Sequence, residues 1–167
     1  MTLSAAQLNG HTGDNEIGTP DDLFADLHRR FDFNYDAFAG HKNALLYLYS
    51  TENGTFFGRL PLVEQAHQAT GLTFPWEGRR VFWNPPYGRG IYLQCIEKAI
   101  EERNNVEISV GLLKYDASTE TGRLIRENFH IEYLPRIQYK GMKTAAPFAS
   151  VIAINRPDRW SPRKDKA

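Results

Sequence analysis

Val81-Phe82-Trp83-Asn84-Pro85-Pro86-Tyr87-Gly88 is the stretch on which the reading of this chain turns. Arg79 to Trp83 reads as a buried strand, apolar over Val81 to Trp83. Two prolines then stop it, because neither can donate to a strand ladder. A buried strand ending in a carboxamide, two prolines and an aromatic belongs at the carboxyl edge of an α/β sheet, where such folds bind ligands. The residue types there suit an exocyclic amine. The Asn84 side chain carries an acceptor oxygen, and the Pro85 carbonyl, held before a second proline, is another acceptor of fixed direction. Together they would hold both protons of one NH2 group and leave the nitrogen lone pair free to attack. Tyr87 offers a flat face for a planar base or amide. Taken alone, the same four residues also read as a turn that ends a strand.

Working outward, Ile91 to Arg103 has the spacing of an amphipathic helix, with Ile91, Cys95, Ala99 and Ile100 near one face. Glu107 to Leu113 reads as a strand, Ser118 to Phe129 as a helix, and Ile131–Leu134 and Ser150–Ile154 as strands. A basic loop, Arg136 to Pro147, separates the last two. Upstream, Thr19-Pro20-Asp21-Asp22 is a helix start, with Thr19 as N-cap, Pro20 at the first helical position and acids in the first turn. That helix ends near Arg30. Phe31, Phe33 and Tyr35 then alternate with Asp32, Asn34 and Asp36, the period of a strand, and Ala37 to Gly40 form a tight turn. Leu45 to Tyr49 is a further strand closed by Asn53-Gly54, and Leu62 to Thr70 fits a short helix ended by Gly71. The alternation predicts an α/β fold with a mostly parallel sheet. The last two strands have no helix between them and are expected to pair antiparallel at an edge.

With 167 residues, 41% hydrophobic and 24% charged, the composition is that of one globular domain and excludes disordered and collagen-like chains. A single cysteine, Cys95, excludes a disulfide framework and a cysteine-built zinc cage, and points to a reducing compartment. Cys95 and Ser118-Thr119 lack the neighbours of an activated nucleophile. The five histidines show no metal-ligand spacing, so no metal is expected. No apolar run approaches the ~18 residues of a membrane helix, and Met1 to Gly10 lack a signal peptide's pattern. A cytoplasmic protein without a membrane partner is expected, organised as a flexible arm over 1–18, a domain over 19–156 and a basic tail over 157–167. Charge is uneven. Residues 1–75 hold four basic and nine acidic side chains, whereas 136–167 hold eight basic and two acidic. This suits a polyanion-facing surface, with Arg136, Lys140 and Lys143 as candidate phosphate contacts, or a tail that only solubilises.

Asn84-Pro85-Pro86-Tyr87 resembles the catalytic motif of S-adenosylmethionine-dependent amino-methyltransferases, which act on adenine N6, cytosine N4 or a glutamine side-chain nitrogen. Gly18-Thr19-Pro20-Asp21-Asp22-Leu23-Phe24, Phe33-Asn34-Tyr35-Asp36-Ala37, Trp76-Glu77-Gly78, that motif, and Pro147 to Ile152 as closing strand are similar in kind and order to the phage-type (Dam-like) DNA N6-adenine methyltransferases. The likeness spans roughly residues 16–156. It implies a Rossmann-like S-adenosylmethionine-dependent methyltransferase fold, phage or prophage origin, action in the bacterial host cytoplasm, and a DNA adenine flipped out of the duplex. A role in protection against restriction would fit.

In that family Asn84 and the Pro85 carbonyl would orient the amine, Pro86 would shape the turn and Tyr87 would stack. Asp36-Ala37-Phe38-Ala39-Gly40 looks like the family's Asp-x-Phe-x-Gly element, which puts Asp36, Phe38 and Gly40 at the cofactor. Thr19-Pro20 resembles the segment closing over its methionine end, and Glu52 would accept the ribose hydroxyls. The chain departs from the pattern in two places. Lys114-Tyr115-Asp116 stands where relatives often carry a proline and an arginine, and the glycine-rich cofactor loop is reduced to Gly40. No insertion is large enough for a separate target-recognition domain. The same chemistry on cytosine N4, RNA adenine or protein glutamine is the alternative, as is a repurposed, non-catalytic fold that binds nucleic acid or a host protein.

Overall fold

The computed structural model describes residues 18–39, 44–46, 48–51, 54–57, 65–67, 70–88, 90–155 and 157. In chain order its elements are α1 (Asp21–Phe31), β1 (Tyr35–Asp36), β2 (Leu48–Thr51), β3 (Gly54–Phe57), β4 (Gln65–His67), β5 (Arg80–Trp83), α2 (Ile91–Glu101) with a following 3-10 turn (Glu102–Asn104), β6 (Ile108–Tyr115), α3 (Glu120–Asn128), β7 (His130–Tyr133) and β8 (Ala149–Asn155). The strands form one eight-stranded sheet in the order β4-β3-β2-β1-β5-β6-β8-β7. Its centre is parallel: β1 pairs with β2 on one side and β5 on the other, and β5 pairs with β6. Strand order therefore reverses at β1. The crevice outside the carboxyl ends of β1 and β5 is a topological switch point. The arrangement is α/β and compatible with a Rossmann-like fold.

Both faces of the central strands are buried, which explains why they read as continuous apolar runs. Val81 and Trp83 point into a cluster with Ile96, Ala99 and Ile125 beneath α2 and α3. Phe82 points the other way, into a cluster with Leu27 and Phe31 of α1. The two-residue period repeats in β8, where Val151 and Ala153 join the first cluster and Ile152 and Ile154 the second. Gly111 of β6 lies against the Trp83 ring, so close that a Cβ there would come within 2.6 Å of it.

The structure differs from the sequence reading at several points. The helix predicted over Leu62 to Thr70 is not formed where it is described: Gln65–His67 is strand β4, paired antiparallel with β3. Pairing at the open edge of the β2–β3 hairpin overrides a local helical spacing. The strand predicted from Phe31 shrinks to Tyr35–Asp36, because Phe31 completes α1 and Asp32 ends it in the left-handed region at φ 52°. Phe33 and Tyr35 accordingly enter opposite clusters. The strand predicted over Leu45 to Tyr49 runs instead over Leu48–Thr51. Pro20 is the N-cap of α1, not its first helical residue, and no side chain caps the helix. The last two strands do pair antiparallel at an edge of the sheet, as expected. β8 runs antiparallel to both β6 and β7 and lies between them, leaving β7 outermost.

The predicted arm and tail, apart from Gly18 and Pro157, fall outside the described residues. Among the described residues no helix is long and apolar enough to cross a membrane.

Candidate active site

Asn84 leaves β5 half-buried, and both ends of its amide are engaged. Nδ2 donates to Thr19 Oγ1 at 3.2 Å, and Oδ1 accepts from the Tyr87 hydroxyl at 3.2 Å. Thr19, predicted to cap α1, spends its hydroxyl here instead. It is only 4% exposed. Its position is set by Gly18 and Lys140, which exchange both backbone hydrogen bonds at 3.0 and 2.8 Å and tie the segment before α1 to the loop after β7. Pro85 is buried and Pro86 half-buried.

The Tyr87 hydroxyl points inward. It lies 3.3 Å from the Tyr139 hydroxyl and 3.4 Å from the Leu112 carbonyl, and Tyr139 in turn lies 3.0 Å from Ser150 Oγ. Burial pushes the Tyr87 and Tyr139 phenols above their ordinary pKa, so both remain neutral donors at physiological pH. The Tyr87 ring forms T-shaped pairs with Tyr92 and Phe148 at centroid distances of 5.4 and 5.6 Å. Lys114 Nζ stands 5.4 Å over Phe148, and the Lys114 carbonyl accepts from the Tyr92 hydroxyl. Lys114 is thus built into the wall behind Tyr87. Lys114 and Tyr115 belong to β6, which runs two residues beyond its predicted end because β8 pairs with it as far as Tyr115.

Asp36 ends β1 beside this site. It pairs with Phe82 on the neighbouring strand, and the Ala37 amide donates to the Phe82 carbonyl at 3.0 Å. Asn84 therefore follows two residues past the level of Asp36. The Asp36 carboxyl is 3% exposed and accepts from the Leu45 amide at 3.2 Å. Burial raises its pKa from 3.8 to about 7, with the Leu45 and Phe38 amides pulling it back. No cationic side chain among the described residues offsets that burial. A buried carboxyl with two amide donors and no counter-charge among the described residues suits a cationic ligand, which would hold it ionised. Phe38 is half-buried with its ring edge-on to Trp76 at 5.9 Å, packed into the cluster under α2. The turn it occupies is closed by Gly71, where a Cβ would stand 1.9 Å from the Ala37 carbonyl oxygen. Only glycine fits that approach.

The candidate residues divide accordingly. Thr19, Asn84 and Tyr87 are brought into direct contact, with Asp36 on the adjacent strand. Pro20 heads α1 beside Thr19. Gly40 and Glu52 lie outside the described residues. Arg136, Lys140 and Lys143 are exposed in the loop after β7. Lys140 is paired with Asp21, whereas Arg136 and Lys143 have no ion-pair partner among the described residues. Sequence reasoning missed Tyr139 and Ser150. Tyr139 lies in a loop without periodicity, where its one visible signal is an aromatic inside a basic stretch. Ser150 looked like an ordinary strand residue.

No family model matches this chain, and no curated protein matches it.

Proposed function

We propose that this chain transfers a methyl group from S-adenosylmethionine to the N6 amino group of adenine in DNA. The observation that carries the reading is the pairing of two groups at one switch point: a buried carboxyl that meets no cation among the described residues, Asp36, and the amide of Asn84 with its proline turn, at the carboxyl ends of adjacent parallel strands. S-adenosylmethionine supplies an electrophilic methyl group on a sulfonium. Asp36 would hold the positive charge of such a cofactor, and its ionised form is favoured once that charge is beside it.

Asn84 Oδ1 has a second lone pair beyond the one taken by Tyr87, and it would accept one proton of the target amine while the Pro85 carbonyl accepts the other. The nitrogen lone pair is then directed along the line of displacement, and the gain is chiefly positional. The target base must leave the duplex, at a cost of a few kcal/mol, to bring its amine to Asn84. Arg136 and Lys143 would meet the flanking phosphates.

Nucleoside mass spectrometry of DNA from cells expressing the chain tests the reading. N6-methyladenine, absent when Asn84→Ala is expressed, is the expected product. N4-methylcytosine would move the acceptor, and unmodified DNA would overturn the proposal.

A further inference from the structure

Ser150 Oγ, Tyr139 OH, Tyr87 OH and Asn84 Oδ1 stand in line, at successive separations of 3.0, 3.3 and 3.2 Å. Each hydroxyl has one proton to give. Tyr87 faces two carbonyl-type oxygens, Asn84 Oδ1 and Leu112 O, neither of which can donate. Its proton therefore goes toward them, and Tyr139 serves Tyr87 best as a donor, with Ser150 donating to Tyr139 behind it. A chain running in one direction is cooperative, and each donor strengthens the next.

The direction matters because an asparagine amide is nearly symmetric in shape. Rotated by half a turn, Asn84 would offer its NH2 to Tyr87 and its oxygen to Thr19. Thr19 tolerates either orientation, since a hydroxyl donates as readily as it accepts. Tyr87 discriminates only while Tyr139 donates to its oxygen. Without that donor, one lone pair of the Tyr87 oxygen still accepts from the Lys114 amide, and the other is free to accept from Nδ2 while the proton goes to Leu112. The other clamp on the amide has the same origin. Thr19 is held by the backbone pair between Gly18 and Lys140, the residue next to Tyr139.

We propose that Tyr139 is a positioning residue for methyl transfer, acting through Tyr87 to keep the oxygen of Asn84, and not its nitrogen, facing the tyrosine hydroxyl; this rests on the functional reading above. The two residues Tyr139 and Lys140 thus fix both ends of the amide from one point in the loop after β7.

Tyr139→Phe in the full chain removes the hydroxyl and keeps the ring. On DNA from a methylation-deficient bacterial strain, with labelled S-adenosylmethionine, kcat should fall about tenfold, the worth of one oriented hydrogen bond, with cofactor Kd unchanged. Asn84→Asp has an oxygen at both ends and nothing to flip, so in that background Tyr139→Phe should cost less than about twofold. If Asn84→Asp has no measurable rate, the single variant decides. An NMR readout needs no turnover: the nuclear Overhauser contact between the Asn84 Nδ2 protons and the Thr19 methyl should be present in the wild type and weakened in Tyr139→Phe. Ser150→Ala, cutting the far end of the chain, should weaken it less, and it replaces Tyr139→Phe in both readouts if that variant does not fold. A Tyr139→Phe enzyme with wild-type kcat and an intact contact overturns the proposal and leaves the functional reading standing. A wild-type enzyme that transfers no methyl group defeats the functional reading and the proposed role together, even where the contact behaves as expected.

Discussion

The carboxyl group of Asp36 accepts the backbone N–H of Leu45 at 3.2 Å and meets no cation among the described residues. The consequence for stability has a definite sign. Its folded pKa is raised from 3.8 to about 7, so the folded state holds this proton more tightly than the unfolded chain does. Below pH 3.8 the group costs nothing; the penalty grows as pH rises toward about 7 and is constant above it. Asp36→Asn should therefore stabilise the free protein at pH 8 by on the order of 4 kcal/mol and change little at pH 4. Urea unfolding at the two pH values checks this, and equal effects at both would refute it. The same carboxyl should make S-adenosylmethionine affinity rise as pH passes through 7. Asp36→Ala should cost about 1–3 kcal/mol of that affinity by calorimetry.

Asn84→Ala separates chemistry from binding. The variant removes the acceptor that Tyr87 and the target amine would share, while Pro85 and Pro86 still shape the turn. Single-turnover methyl transfer should fall about 10²-fold or more, with cofactor affinity changed far less and the fold retained. A wild-type rate would make the motif a strand-ending turn and no more.

Salt dependence reports on the basic loop. Each phosphate neutralised contributes about 0.9 to the log–log slope of DNA binding, so replacing Arg136 and Lys143 together by Gln should flatten it by about 1.8. Lys140 must first give up Asp21, and its replacement should change the slope less. An unchanged slope in the double variant would move the DNA track elsewhere.

Gly111→Ala would drive a methyl group to within 2.6 Å of the Trp83 ring, the residue immediately before Asn84. Overpacking of this kind costs about 1–3 kcal/mol. Thermal unfolding should show the loss, and methyl transfer should weaken too, because the end of β5 shifts with the indole. A variant as stable as the wild type would show that the ring yields freely.

The central strands were legible because burial on both faces leaves an unbroken apolar run, as in Val81 to Trp83, and Asn84 to Tyr87 announced their place by stopping it. The helices at Ile91 and Glu120 kept their spacing, and Thr119 caps the second by accepting from the Gly122 amide at 3.0 Å. What stayed hidden was decided by partners distant in sequence. Gln65–His67 became a strand because β3 offered an open edge, and Thr19 gave up its predicted cap to a side chain 65 residues away. Tyr139 entered the site from a loop whose own residues carry no periodic signal, so nothing local marked it.

The position of β8 has a consequence for how the protein is made. This last strand in chain order fills the gap between β6 and β7, so until it arrives the eight residues of β6 present an open, apolar edge on that side. A nascent chain emerging from the ribosome cannot close the sheet, or seat Ser150 behind Tyr139, before synthesis has passed Asn155. Over that interval the exposed edge is open to wrong pairing, so a chaperone that covers it would matter more for this protein than for one in which each strand pairs as soon as it is made.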